Sequence, residues 1–190
     1  MNDQVKDGAA ARSRALDAAE QLFYGRGIQT VGMDDIRGAS GVSLKRLYQL
    51  FPAKEQLVEA YLERRDLVWR RRLADRVDQE SDPRARVLAV FDHLHAWFGE
   101  PDFRGCAWIN AYGELGATSP RVAAQARTHQ TAFLRYLEGL AADAGLPAST
   151  AGQLLLLAEG AMVTAGISGT PEPALQAREA AALLTAAADR

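Results

Sequence analysis

The stretch that decides the fold is Thr30 to Leu57, TVGMDDIRGASGVSLKRLYQLFPAKEQL. It splits into two short helical patterns around a Gly-Val-Ser turn, with a longer helix starting just beyond. In MDDIRGAS the apolar Met33, Ile36 and Ala39 recur every third position, which is one face of a helix. Gly41 is where a chain can take positive φ and turn sharply. Ser43 is placed to cap the second helix, its hydroxyl accepting backbone N–H groups of the first turn. In that helix Leu47, Leu50 and Phe51 are expected to point to the core. Lys45, Tyr48 and Gln49 fall on the opposite face. Between Arg37 and Lys54 there are four basic residues and no acidic ones. A tight bihelical turn with a basic, hydrogen-bonding outer face is a shape that a DNA major groove accepts.

Composition sets the limits around this stretch. The chain has 190 residues, 48% hydrophobic and 24% charged, with a net charge of −2. That is enough chain for a sizeable core in one or two domains. A slightly acidic protein attracts nucleic acid only through a local patch. Residues 1–60 carry eight basic and eight acidic side chains, so even this region is neutral and the charge is segregated rather than in excess. Asp17, Glu20, Asp34, Asp35, Glu55 and Glu59 all lie off the second short helix. One cysteine forbids an internal disulfide, which fits a reducing cytoplasm. The polar start MNDQVKDGAAARSR has no signal-peptide pattern.

Outward from the central stretch, residues 1–9 are expected to be a disordered leader. A first helix follows over about Ala10 to Tyr24, with Ala15, Leu16, Ala18, Ala19, Leu22 and Phe23 as its apolar stripe and Gly25 and Gly27 as its stop. Arg12 and Arg14 are either phosphate contacts or solvated charges. About Ala53 to Gln79 reads as one long helix. Pro83–Phe98 is amphipathic and starts on a proline suited to a first helical position. Cys106–Leu115 is short, and Pro120 to about Ala144 is long. Residues 154–167, LLLLAEGAMVTAGI, carry a single charge, Glu159. That run falls short of the ~20 apolar residues a membrane span needs, so it reads as a buried helix. About Pro173 to Ala188 is the last helix. With no strand pattern and no repeat, the fold class is all-α with about nine helices.

The segment from about Arg12 to Leu57 resembles the DNA-binding domain of the TetR family of bacterial regulators. ALDAAEQLFYGRG, then MDDI, then GVSLKRLYQLFPAKEQL carry the resemblance, over roughly a quarter of the chain. It implies a three-helix helix-turn-helix DNA-binding domain over 10–52 and a helical ligand-sensing and dimerisation domain over 53–190. It also implies a cytoplasmic regulator without cofactor that binds a palindromic double-stranded operator as a homodimer. Repression relieved by a small-molecule effector is the expected mode. On this reading Ser43, Leu44, Lys45, Arg46, Tyr48 and Gln49 form the DNA-facing helix. Lys45 or Arg46 suits guanine, Gln49 suits adenine, and Leu44 suits a thymine methyl. Tyr48 suits phosphate. Lys54 opposes its helix dipole, so it is expected either to meet a phosphate or to lie solvated along Phe51. The sequence departs from the family pattern at Arg37, Ser40, Lys45 and Ala53, where relatives often carry alanine, alanine, glycine and a capping serine or threonine.

For the effector, His93, Trp97, Trp108, Asn110, Tyr112, Phe133 and Glu159 are the candidates, each equally readable as core; Glu159 is expected to be buried and partnered, by an arginine or by ligand. Phe98, Phe103, Glu114 and Tyr136 are further aromatic or polar candidates. Two late helices, about Ser149–Ile167 and Pro173–Ala188, are expected to form the dimer surface. His93 and His95 point to different helix faces, so no metal site is expected. Cys106 is a buried apolar residue or a redox-sensing thiol at a helix start, a place where some TetR relatives carry Gly-Cys. Nothing in the chain carries a nucleophile motif or a glycine-rich phosphate loop, so an enzyme is not expected.

Overall fold

The computed structural model describes residues 2–187, with side chains from 7 to 186. Among these residues there are nine α-helices and no strand: α1 (Asn2–Arg26), α2 (Met33–Ser40), α3 (Leu44–Leu50), α4 (Lys54–Val77), α5 (Pro83–Phe98), α6 (Ala107–Leu115), α7 (Pro120–Asp143), α8 (Ser149–Ser168) and α9 (Glu172–Ala187). The boundaries follow local signals. Asp82 caps α5 by accepting the Ala85 N–H at 2.8 Å, and Pro83 opens the helix. Gly41 and Gly169 close α2 and α8 in the left-handed conformation at φ 65° and 73°.

α1 runs from Asn2, so the residues expected as a leader are helical; Met1 and Ala188 lie outside the described residues. Once the turn around buried Ala11 is formed, each further residue adds a hydrogen bond at little cost, and no proline stops the helix from extending toward the N-terminus.

The chain divides by packing into two compact units, Met1–Asp66 with Ala107–Ala126, and Leu67–Cys106 with Arg127–Arg190. α4 and α7 each contribute one end to the first unit, and α6 belongs to it entirely. In the first unit α1, α2 and α3 pack on one another. Its core includes Ala15, Phe23, Ile36, Leu47, Phe51, Leu57 and Tyr61. Phe23 and Tyr61 meet edge to face at 5.7 Å. Arg64 pairs with Asp17 at 2.6 Å, and Arg65 pairs with Glu20 while lying 3.7 Å over the Tyr24 ring.

In the second unit α5, α8 and α9 pack against one another. Asp92 of α5 receives both Arg178 Nε at 2.6 Å and Arg76 Nη2 at 3.0 Å. Trp69 is the aromatic hub, with ring centroids at 5.1 Å from Phe133 and His129, 6.0 Å from Trp97 and 6.2 Å from His93. α8 is 20 residues long, and by length and composition alone it could cross a membrane. Its Leu154, Ala158, Ala161 and Ala165 are buried instead. A Cβ at Gly166 would stand 3.3 Å from the Gly105 Cα, a tight contact that glycine relieves.

Candidate nucleic-acid interface

The exposed face of α3 is built by the turn before it. Ser40 Oγ accepts the Val42 N–H at 3.1 Å, and Val42 is buried. This hydroxyl at the end of α2 takes the core position that periodicity assigned to Ala39, which is exposed. Gly41 turns the chain, and Ser43, extended at φ −60° and ψ 147°, accepts the Arg46 N–H at 3.3 Å. A cap of this kind typically stabilises a helix start by ~1 kcal/mol. Below, Leu47 and Phe51 are buried and fix the rotation of α3. Leu50 is only half-buried.

That rotation leaves Ser43, Lys45, Tyr48 and Gln49 exposed, with Leu44 and Arg46 half-buried beside them. Tyr48 keeps 46% of its surface in solvent, while the adjacent Leu47 is fully buried. Arg46 is folded back, its Nη1 donating to Gln49 Oε1 at 3.1 Å. Arg37 is engaged by Asp34 at 3.0 Å, so its charge is locally neutralised. Among the described residues Lys45 forms no ion pair.

Lys54 does not lie solvated along Phe51. Its Nζ donates to the Ile28 carbonyl at 2.5 Å and lies 5.9 Å over the Phe23 ring. Burial pushes its pKa below the usual lysine value, against the opposing pull of Glu114 and Asp35. Phe51 is covered instead by Arg12, whose guanidinium lies 4.7 Å over the ring. Ala53 lacks a capping side chain, and Gln56 reaches back to accept the Ala53 N–H at 3.1 Å, which is half of a capping box.

A contact that the sequence did not announce holds the turn between α1 and α2. The Glu114 carboxylate, at the end of α6, accepts the Ile28 N–H at 3.1 Å and the Gln29 N–H at 2.8 Å. The Gln29 side-chain amide donates to the Glu114 carbonyl at 2.5 Å. Together with Lys54 on the Ile28 carbonyl, α4 and α6 clamp both polar sides of this turn. Gly27, at φ 87°, carries the chain into it.

The other candidate residues separate. His93, Trp97 and Phe133 are buried around Trp69 in the second unit. Trp108, Asn110 and Tyr112 belong to the first unit; Trp108 is buried and the other two are exposed. Glu159 is not the buried carboxylate expected. It is half-exposed, and its partner is the Gln130 amide at 3.1 Å rather than an arginine, because it sits toward the solvent side of α8. A cleft of about 300 Å³ lies between α4 and α7 in the second unit, lined by Trp69, Leu73, Phe133 and Tyr136 among others. Of the candidates only Phe133 and Tyr136 reach it, and Trp69, which periodicity did not single out, also lines it. Cys106 is buried immediately before α6. No group of three or more His, Cys, Asp or Glu among the described residues is gathered as a metal site would need.

The model for "Bacterial regulatory proteins, tetR family" matches residues 15–61, which hold α2, α3, the C-terminal part of α1 and the start of α4. The crystal structure of a protein assigned as a TetR transcriptional regulator from Streptomyces avermitilis is 30% identical, with a TM-score of 0.81 over 94% of this chain and 98% of that one. The chain belongs to the TetR family. A second TetR-family regulator, from Streptomyces coelicolor, superposes with a TM-score of 0.88 over 96% and 97% of the two chains at 27% identity. The HTH-type transcriptional activator FasR of Mycolicibacterium smegmatis is 36% identical over 147 residues, 74% of this chain. The match spans 63% of FasR's own length. Within the TetR frame, the turn built by Ser40, Gly41 and Ser43 falls inside the residues the family model matches.

Proposed function

We propose that this TetR-family protein is a ligand-responsive transcriptional regulator that grips a palindromic duplex as a homodimer, through α3, and releases it when a small effector binds. The observation that carries this reading is the outward face of α3: Lys45, Tyr48 and Gln49 stand in solvent over the buried anchor Leu47. A lysine, a phenol and an amide side by side supply the cation and hydrogen bonds that phosphates and base edges accept. Leu44, Arg46 and the Ser43 cap complete the set. Lys54 supports it from behind by holding the α1–α2 turn.

The α4–α7 cleft, aromatic-walled and about 300 Å³, is of the size a small effector needs. An effector acts by favouring the state that does not bind DNA. α4 is one unbroken helix from the cleft residues Trp69 and Leu73 back to Lys54, a continuous element through which such a preference is transmitted. Leu156, Val163 and Ile167 on α8 and Leu175 and Leu183 on α9 are exposed apolar residues, as a dimer surface requires. The protein is a regulator rather than a catalyst and works in the cytoplasm. Repression is the primary mode; the description of FasR as an activator favours activation as the second reading.

The test is in vitro selection of duplexes from a random pool by the full-length protein. Enrichment of a palindrome with half-sites about one helical turn apart supports the proposal. Absence of any enriched sequence refutes it.

A further inference from the structure

The cleft between α4 and α7 has a chemical bias. Its inner wall is apolar, with Trp69, Leu73 and Phe133 all buried. The charged residues that line it, Arg70 and Arg71, are both cationic and both exposed. Arg71 meets Asp75 at 4.0 Å, with 84% and 71% of the two side chains in solvent. A pair so long and so well hydrated contributes little, so Arg71 keeps its charge for another anion.

The Tyr136 hydroxyl is a second, independent observation. Tyr136 lines the same cleft, and its oxygen is shut off from solvent without a hydrogen-bond partner. A buried hydroxyl left in that state costs stability. Burial raises the Tyr136 pKa, with Asp78 adding to the shift and Arg86 opposing it. The phenol therefore holds its proton at neutral pH, within electrostatic reach of the Arg86 guanidinium. Arg86 donates from Nη2 to Asp78 at 2.6 Å, but its Nε is also buried and without an acceptor. A guanidinium can only donate, and a protonated phenol has one hydrogen to give. What this end of the cleft lacks is an acceptor, and a negatively charged one also complements the arginines.

We infer that the effector is a small organic acid, with an apolar body seated on Trp69, Leu73 and Phe133 and a carboxylate that accepts from the Tyr136 hydroxyl. Arg71 and Arg86 supply the positive field around that carboxylate. The inference rests on the reading of this cleft as the effector site. The volume of about 300 Å³ lies at the small end of the range of ligand pockets, which sets the scale of the acid.

The experiment is isothermal titration calorimetry on the full-length protein with two series of probes. One is phenylbutanoate, phenylbutanol and phenylbutylammonium; the other is octanoate, octanol and octylammonium. Each series keeps the body and changes the head. In at least one series the acid should bind about fivefold or more tighter than the alcohol, with the ammonium weakest. Tyr136→Phe keeps the ring and deletes the hydroxyl, and should weaken the acid by about fivefold or more. Arg71→Gln should weaken it by about two- to fivefold, less because that guanidinium is exposed. Urea unfolding without probe separates a binding role from a structural one. Removing a hydroxyl that bonds nothing in the fold should leave Tyr136→Phe at least as stable as the parent. If the alcohols or ammoniums bind as tightly as the acids, or Tyr136→Phe keeps the parent's affinity for them, the inference is overturned while the cleft stands as a binding site. A less stable Tyr136→Phe also overturns it, since the hydroxyl then serves the fold. If no probe of either series binds, the reading of the cleft fails first and takes this with it.

Discussion

Replacing Glu114 with alanine should loosen the turn between α1 and α2 without touching α3. The carboxylate accepts two consecutive backbone N–H groups, from Ile28 at 3.1 Å and Gln29 at 2.8 Å. Hydrogen bonds to charged groups contribute roughly 1.5–3 kcal/mol each. Gln29 is exposed, so water replaces the lost acceptor there and most of that contribution disappears from the balance. Ile28 is 3% exposed, and its amide has no such substitute. A loss of about 2 kcal/mol follows for opening the turn. Hydrogen exchange read at the Ile28 and Gln29 amides should therefore speed up about 30-fold in Glu114→Ala, since 1.4 kcal/mol is a factor of ten. Glu114→Gln keeps one acceptor oxygen and should fall between. The Gln29 side chain still reaches the Glu114 backbone carbonyl in both variants, so the effect isolates the carboxylate. Unchanged exchange at both amides in Glu114→Ala would refute the reasoning. So would fast exchange at both amides in the parent.

His93 should make the protein acid-sensitive. It is 7% exposed, its Nε2 has no hydrogen-bond partner, and burial holds its pKa down to about 4, with Arg72 and Arg76 pushing the same way and Glu100 opposing. The unfolded chain takes up the proton first, near 6.5. Stability from this group is therefore full above pH 6.5 and is lost as pH falls toward 4, by about 3 kcal/mol in all. Urea unfolding of the parent and His93→Leu at pH 7 and 4.5 should show a smaller pH loss in the variant; equal losses would contradict the assignment. Lys54→Ala should lower stability by about 1 kcal/mol through its bond to the Ile28 carbonyl. Its salt slope for DNA should stay within about half a unit of the parent's, because the ammonium faces the turn; a fall of about one would instead assign it to a phosphate.

Much of the fold was legible because its punctuation is local. Pro83 and Asp82 start α5, Ser43 starts α3, and Gly41 and Gly169 end α2 and α8. The outward and inward faces of α3 followed from spacing alone, since a seven-residue helix with Leu47 buried has few rotations to choose from. Periodicity failed at Ser40, because a serine that bonds its own turn can be buried as readily as an alanine. It failed at the start of α1, where polar residues and Gly8 read as a leader. The Glu114 clamp joins residues 85 and 86 apart, and no local pattern encodes such a pairing. It also hid the membership of α6 in the first unit. Among the effector candidates His93, Trp97 and Phe133 are buried, and aromatic content alone does not separate cleft wall from core. The hub Trp69 lies in the arginine-rich half of α4, where apolar periodicity is weakest.

The account turns on whether the exposed side chains of α3 meet DNA. Lys45→Ala combined with Tyr48→Ala removes two solvent-facing groups, so urea stability should stay within about 0.5 kcal/mol of the parent. Fluorescence anisotropy on the duplex enriched by the parent should then show affinity lower by about tenfold or more, as loss of one charged and one hydrogen-bonded contact requires. Parental affinity in that stably folded double variant would contradict the account.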